Sequence, residues 1–366
     1  MNKTKEECIS AIATLIGEGN VTEAITSIRN EKLVSDAKNI LQRILMYPKE
    51  DISNVISFIE AYIKEEDLLS YKRCDGDDYR SVAFDFSQIL SKQNNVKLRE
   101  YSTLLMQDFV WGLIERKEKC EDITFINNNL YSFKKLSPHM LSELSEEKIG
   151  VSSPESFNDP FDCLILSDIR RAFEQNKNLD NFFIDTYIKE LRKIRIRCFV
   201  GDSSETKGSA PEPYLRTLMW GHYAENHQGI CIRYSLSEDS PLLKNGIIDD
   251  HTIGRIDKII YQSGSVRRKE RLEYERCFLF KDKAWEYENE VRLVYYDTKR
   301  DEEHYSIPLT SIGLKITGVY FGLNCKKEMK SLIRNIMEGQ EVDFYEIKCD
   351  DQYNNVLKAE KCDDKL

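Results

Sequence analysis

Between Ile9 and Ile114 the apolar residues return every three or four positions, and near Leu130 that rhythm breaks. The period of burial fixes which element can hide its apolar face, so a chain with such a break cannot be one uniform bundle or one regular sheet. Ile9, Ile12 and Ile16 form a helical stripe that Gly17 to Asn20 ends, and Ala24, Ile25 and Ile28 form the next. Leu33, Ala37, Ile40, Leu41, Ile44 and Leu45 make a third, stopped by Pro48. Asp51 or Ser53 caps a fourth through Val55, Ile56, Ile59 and Ile63, and two more are predicted over Val82 to Leu90 and Val96 to Ile114. No fixed period links these helices. Residues 1–125 are therefore expected to form a helical bundle or short helical array, a candidate interaction domain for a protein partner.

From about residue 126 to 366 the pattern mixes short β-prone runs with helices. "LYSF", "RIRCFV", "GICIRY", "RIDKIIY", "NEVRLVYY", "HYSIPL", "ITGVYFG" and "VDFYEIK" read as strands. Helices are expected after Pro138, over 167–177, 180–193, 214–226 and 266–280, and over 326–337. The elements do not alternate as in a doubly wound sheet. The expected fold class is α+β, with a mixed or largely antiparallel sheet and helices, forming a candidate catalytic domain. The turn-rich stretch "GDSSETKGSAPEP" has the length and composition of a functional or mobile loop.

The 366 residues are 41% hydrophobic and 32% charged, enough for two cored domains. A net charge of −10 argues against a general nucleic-acid coat or an anionic membrane surface as partner. No apolar run reaches the length of a membrane span, and "MNKTKEECIS" leads into a segment unlike a secretion signal. The ten cysteines form no CxxC pair, so zinc-ribbon and thioredoxin sites are not expected and most should be buried thiols in a reducing interior. The expected location is cytoplasmic.

Three stretches carry polar groups in patterns that a plain core does not need. In "FNDPFD", Asn158, Asp159 and Pro160 signal a turn, anchored by Phe157 and Phe161, that can aim Asn158 and Asp159 into a cleft. In "MWGHYAENHQGICIRY", Trp220, His222, Tyr223 and His227 crowd a helix-to-strand joint. The two histidines are five apart, off the i, i+4 spacing of a helical metal site, and no metal ligand set is expected. In "WEYENEVRLVYY", Glu286, Glu288, Glu290 and Arg292 alternate and as a strand would share one face. Adjacent carboxylates on a face repel unless cations or a ligand balance them, and Arg292 balances only part. Phosphate-loop, dinucleotide-fingerprint, HExxH and GxSxG motifs are absent from the sequence.

With "LYSF", "FNDPFD", "CF" at 198–199, "MWGHYAENHQGICI" and "WEYENEVR" in this order, the chain resembles the bacterial family called domain of unknown function 2971 over roughly residues 128–300. The same elements are similar, more distantly, to ADP-ribosyltransferases. That likeness implies a first strand with Tyr131 beside the NAD ribose, a middle region from Trp220 to Gly229, and a late strand carrying Glu288-x-Glu290. It implies Glu290 as the catalytic carboxylate on the ribose 2′-hydroxyl, with Glu288 assisting the acceptor or orienting Glu290. Tyr131 stands where that superfamily usually has His or Arg, and its Ser-Thr-Ser motif is absent.

The leading expectation is an ADP-ribosyltransferase-like enzyme that cleaves the nicotinamide–ribose bond of NAD, in a bacterial toxin or phage-defence effector. Catalysis falls to Glu290 and Glu288. Binding of the nucleotide falls to Tyr131, Asn158, Asp159, Trp220, His222, Tyr223, His227 and Arg292. Two alternatives stand beside it: a metal-dependent nuclease or phosphodiesterase with Asp159, Glu288 and Glu290 on Mg²⁺, and a non-enzymatic sensor or binding module.

Overall fold

A computed structural model describes residues 4–46, 51–64, 82–115, 129–157, 159, 162–163, 180–201, 212–263, 278–350, 352 and 356–362. The described residues separate into two compact units.

In the first unit the apolar stripes become helices. Thr4 and Glu7 form a reciprocal capping box at the start of Lys5–Gly17, which satisfies two otherwise orphaned backbone N–H groups. Helices Val21–Asn30, Ala37–Leu45 and Ile52–Ile63 follow, the last with its Ser53 N–H donating to the Asp51 carboxylate. Val82–Ser91 and Val96–Ile114 complete the expected set. Ile12, Ile16, Ile28, Ile40, Ile44, Phe58 and Ile59 are buried together with others at the same spacing. Helix Asn181–Leu191 also belongs to this unit, although in the chain it follows several elements of the other. Its Phe183 ring meets Phe84 edge-on at 5.0 Å. Helices expected over 167–177 and most of 266–280 lie outside the described residues.

The second unit is built on a mixed, mostly antiparallel sheet, so the chain as a whole is α+β. Its strands in chain order are β1 (Asn129–Lys134), β2 (Lys148–Ser152), β3 (Ile194–Gly201), β4 (Ile230–Leu236) and β5 (Thr252–Lys258). After the short β6 (Ile260–Gln262) and β7 (Phe280–Asp282) come β8 (Glu290–Asp297), β9 (His304–Pro308), β10 (Leu314–Phe321), β11 (Asp343–Cys349) and β12 (Leu357–Lys361). The order is β12-β11-β10-β4-β1-β3-β2-β9, with β8 also pairing with β3 and β5 pairing with β8. Within it β10 and β11 run parallel and the other pairs antiparallel. β6 and β7 form a separate parallel pair.

Register decides which side chains share a face. Asp343, Gly318, Arg233, Tyr131, Val200 and Glu290 stand opposite one another in succession across β11, β10, β4, β1, β3 and β8. Directly opposed residues point the same way, so Tyr131 and Glu290 share a face, two strands apart. The reverse face carries Leu130, Ile232 and Leu293 and is packed by Met140 and Leu144 of helix Pro138–Ser145 and Ile333 of helix Lys327–Ile336. The Glu290 face carries Tyr131, Phe133, Cys231 and Tyr320, and Met219 and Trp220 of helix Thr217–Tyr223 cover it. Among the described residues no helix is long and apolar enough to cross a membrane.

Candidate active site

The acidic stretch does not fold as one strand. Asp282 caps a 3-10 helix, Lys283–Glu288, by accepting from the Ala284 N–H, and Asn289 ends it in the left-handed conformation. Asn289 then crosses to β3, donating from its side chain to the Gly201 carbonyl at 2.9 Å and accepting the Gly201 N–H at 2.8 Å. The strand therefore begins at Glu290, and Glu288 reaches the cluster from a helical turn rather than from the strand face that Glu286, Glu288, Glu290 and Arg292 were expected to share. Asn is among the few residues that tolerate such a reversal, and here it brings two carboxylates from different elements together. Arg216 fixes the turn from outside by donating to the Glu288 carbonyl at 3.1 Å.

β8 lies between β3 and β5, and every one of its residues is buried. Its Arg292 is fully enclosed, 0% exposed. The guanidinium donates to Glu290 Oε1 at 2.6 Å, Asp162 Oδ2 at 2.5 Å and the Phe278 carbonyl at 2.8 Å, and reaches Cys163 Sγ at 3.2 Å. The Phe157 ring lies 5.3 Å from it. Lys281 on β7 donates to Glu288 Oε2 at 2.6 Å and Glu290 Oε2 at 2.9 Å, with Asp162 3.7 Å away. The Tyr223 hydroxyl donates to Glu288 Oε1, and the Glu290 N–H donates to the Tyr261 hydroxyl. Three carboxylates thus face two cations, leaving formally one negative charge in excess among buried groups.

That environment drives the two glutamates in opposite directions. Burial alone would raise Glu290, but the Arg292 and Lys281 charges outweigh it and hold the carboxyl down at about 2. For Glu288 burial prevails, and its carboxyl lies above the ordinary range despite Lys281 and the Tyr223 hydrogen bond. Tyr223 is raised by burial and by Glu288. Burial pushes the Cys163 and Cys198 thiols up, so both stay neutral. Lys281 is raised, because the two glutamates overcome its desolvation.

The structure gathers Glu288, Glu290, Arg292 and Tyr223 into this cluster. Tyr131 and Trp220 sit beside it in an aromatic layer on the same sheet face. The Tyr131 ring lies 5.8 Å from Tyr214 and 6.3 Å from Tyr320. The Trp220 indole donates to the Tyr214 carbonyl at 2.8 Å and meets Phe133 edge-on. Tyr223 and Tyr287 pack against that layer and join it to the carboxylates. His222 is exposed, its ring 6.3 Å from both Tyr223 and Tyr287. His227 stacks on Trp220 at 6.0 Å, and burial lowers its proton affinity. The helix expected over 214–226 is shorter than predicted, because Glu225, Asn226 and His227 are all left-handed and turn the chain into β4. Asp159 is partly exposed and its carbonyl accepts from the Asp162 N–H, while Asn158 lies outside the described residues.

Sequence reasoning missed Asp162, Lys281, Cys198 and Tyr261. The excess of carboxylate over Arg292 in "WEYENEVR" was the signal that a further cation must exist. Lys281 stands seven residues before Glu288, just past the helix expected over 266–280, in a stretch for which no element is predicted. Among the described residues no three His, Cys, Asp or Glu side chains are grouped as metal ligands would be.

No curated protein and no solved structure matches the chain. Residues 219–293, which hold Tyr223, Lys281, Glu288, Glu290 and Arg292, match the family model described as Protein of unknown function (DUF2971), and the family resemblance read from the sequence is borne out over that stretch.

Proposed function

We propose that the cluster cleaves the nicotinamide–ribose bond of NAD and passes the ADP-ribose to an acceptor. One observation carries the reading: two carboxylates two residues apart, joined through one ammonium, are pushed in opposite directions. Such a split assigns different tasks to chemically identical groups. Glu290 stays ionised and is suited to stabilising the oxocarbenium-like ribose as the C1′–N bond breaks and its electron pair leaves with nicotinamide. Glu288 holds a proton more readily and is suited to accepting it from the attacking hydroxyl as the new C1′–O bond forms. Tyr223 and Tyr287, partly exposed at the edge of the aromatic layer that holds Tyr131 and Trp220, supply aromatic surface of the kind the planar parts of a nucleotide require. A divalent cation at this point would have to displace Lys281 or Arg292 from the carboxylates, which argues against the nuclease alternative. In a bacterial cell this chemistry fits a toxin or phage-defence effector, with the helical unit engaging a protein partner.

The test is nicotinamide release from NAD by the purified protein, with and without a cell extract as acceptor, and mass spectrometry for attached ADP-ribose. Glu290→Gln should lower release by about 10²–10³-fold. Wild-type release that Glu290→Gln leaves unchanged would refute the reading. Absence of release with extract present would also refute it and favour a binding module, and activity abolished by EDTA would favour the metal-dependent alternative.

A further inference from the structure

Lys281 is the residue through which the two glutamates meet. Arg292 touches Glu290 and not Glu288, and Tyr223 touches Glu288 and not Glu290, among the hydrogen bonds of the cluster. The Lys281 ammonium donates to Oε2 of both. It arrives from β7, a three-residue strand outside the main sheet, so it is carried by neither the β8 backbone that bears Glu290 nor the 3-10 turn that bears Glu288. Its side chain is 8% exposed, and its ammonium lies 4.9 Å from the centre of the Trp285 ring. One carboxylate is enough to neutralise a buried ammonium. This one has two within hydrogen-bonding distance and a third, Asp162, at 3.7 Å.

We propose that Lys281 is a positioning residue that locks Glu288 and Glu290 into a single ionised pair, keeping both oxygens of each aimed for the reaction. This rests on the reading of Glu290 and Glu288 as the reacting carboxylates. The ammonium is not itself the base, because the glutamates around it hold its proton firmly. The other groups facing the pair are Asp162, Arg292, Tyr223, Tyr261 and Cys198, and of these Arg292 alone is a cation. Without Lys281, two carboxylates and Asp162 share one guanidinium. The pair then has to take up a proton, and it does so on Glu288, which lacks contact with Arg292.

The experiment is a carboxyl titration of ¹³C-glutamate-labelled protein by NMR in the wild type, Lys281→Gln and Lys281→Arg, alongside pH profiles of nicotinamide release. Glu288→Gln and Glu290→Gln assign the two resonances. Lys281→Gln should move the Glu288 midpoint up by about 1–3 units, as loss of a neighbouring opposite charge does, and shift the acid limb of the rate profile the same way. Lys281→Arg should restore most of both. Should the glutamine variant not fold, Lys281→Met, which makes no demand for hydrogen bonds, takes its place. Unmoved glutamate midpoints in the neutral variant overturn the proposal even if NAD is cleaved. A shifted Glu288 midpoint with no NAD cleavage in the wild type leaves the clamp standing and sinks the assigned reaction instead.

Discussion

Replacing Arg292 by methionine removes the one guanidinium that ties β8 to the Asp162 turn. In the wild type it pairs with both Glu290 and Asp162 and donates to the Phe278 carbonyl, all buried. Breaking a buried pair from one side strands the remaining charge and costs about 3–5 kcal/mol. The depression of Glu290 from an ordinary 4.5 to about 2, which Arg292 and Lys281 bring about together against burial, gives a figure for the two cations jointly. At 1.36 kcal/mol per unit it corresponds to about 3 kcal/mol of stability. Because the folded-state value is the lower one, this stability is fully present above about pH 4.5 and is lost as pH falls through about 2. Urea unfolding should therefore show Arg292→Met destabilised by about 3–5 kcal/mol at pH 7, a gap that narrows as the pH is lowered from 4.5 towards 2. The midpoint of thermal unfolding should fall by about 6–20 °C for a unit of this size. A loss below about 1 kcal/mol, or a gap that does not change with pH, would refute the account of Arg292 as the counter-charge of Glu290.

Tyr223→Phe takes a hydrogen bond from buried Glu288 and should cost about 1–3 kcal/mol in denaturant unfolding, with the Glu288 titration midpoint moving up. At Gly229 an added Cβ would lie 2.1 Å from the Lys134 carbonyl oxygen and 3.1 Å from Ala224 Cα, both backbone. Gly229→Ala should cost about 3 kcal/mol or abolish soluble expression. Gly221, on helix Thr217–Tyr223, has nothing within 4 Å of the same position. Gly221→Ala should instead raise stability by about 0.5–1 kcal/mol, and a comparable loss at both glycines would contradict the packing described.

The helical unit was legible because its apolar stripes have no other way to be buried, and the strand-rich unit because β-prone runs alternate with turns. That Glu288, Glu290, Arg292 and Tyr223 would cluster was legible, since local spacing already placed too much charge beside too many aromatics. What sequence could not supply is pairing at a distance. Asp162 reaches Arg292 from 130 residues away and Lys281 joins the cluster from a strand of three residues. So short a strand leaves no periodicity to read. The start of β8 was misjudged for a related reason: alternation of Glu286, Glu288 and Glu290 suits a strand, yet the Asp282 cap and left-handed Asn289 make the first part a helical turn. Local hydrogen bonds from Asp and Asn won over the period of the charges.

The pairing order of the sheet also bears on how the chain is made. β1 sits at the centre, between β3 and β4, and its best-paired neighbour is β4, whose Arg233 faces Tyr131 roughly a hundred residues later in synthesis. At about 5–20 residues per second, Leu130, Tyr131 and Phe133 wait about 5–20 s for that partner to emerge from the ribosome. Distant pairing of this kind slows folding as well. Until β3 emerges, an apolar strand destined for the middle of the sheet has both edges open, and its β4 edge stays open through the whole interval. The growing chain is then a natural client for chaperones, and faster translation should raise the soluble yield while slower translation lowers it.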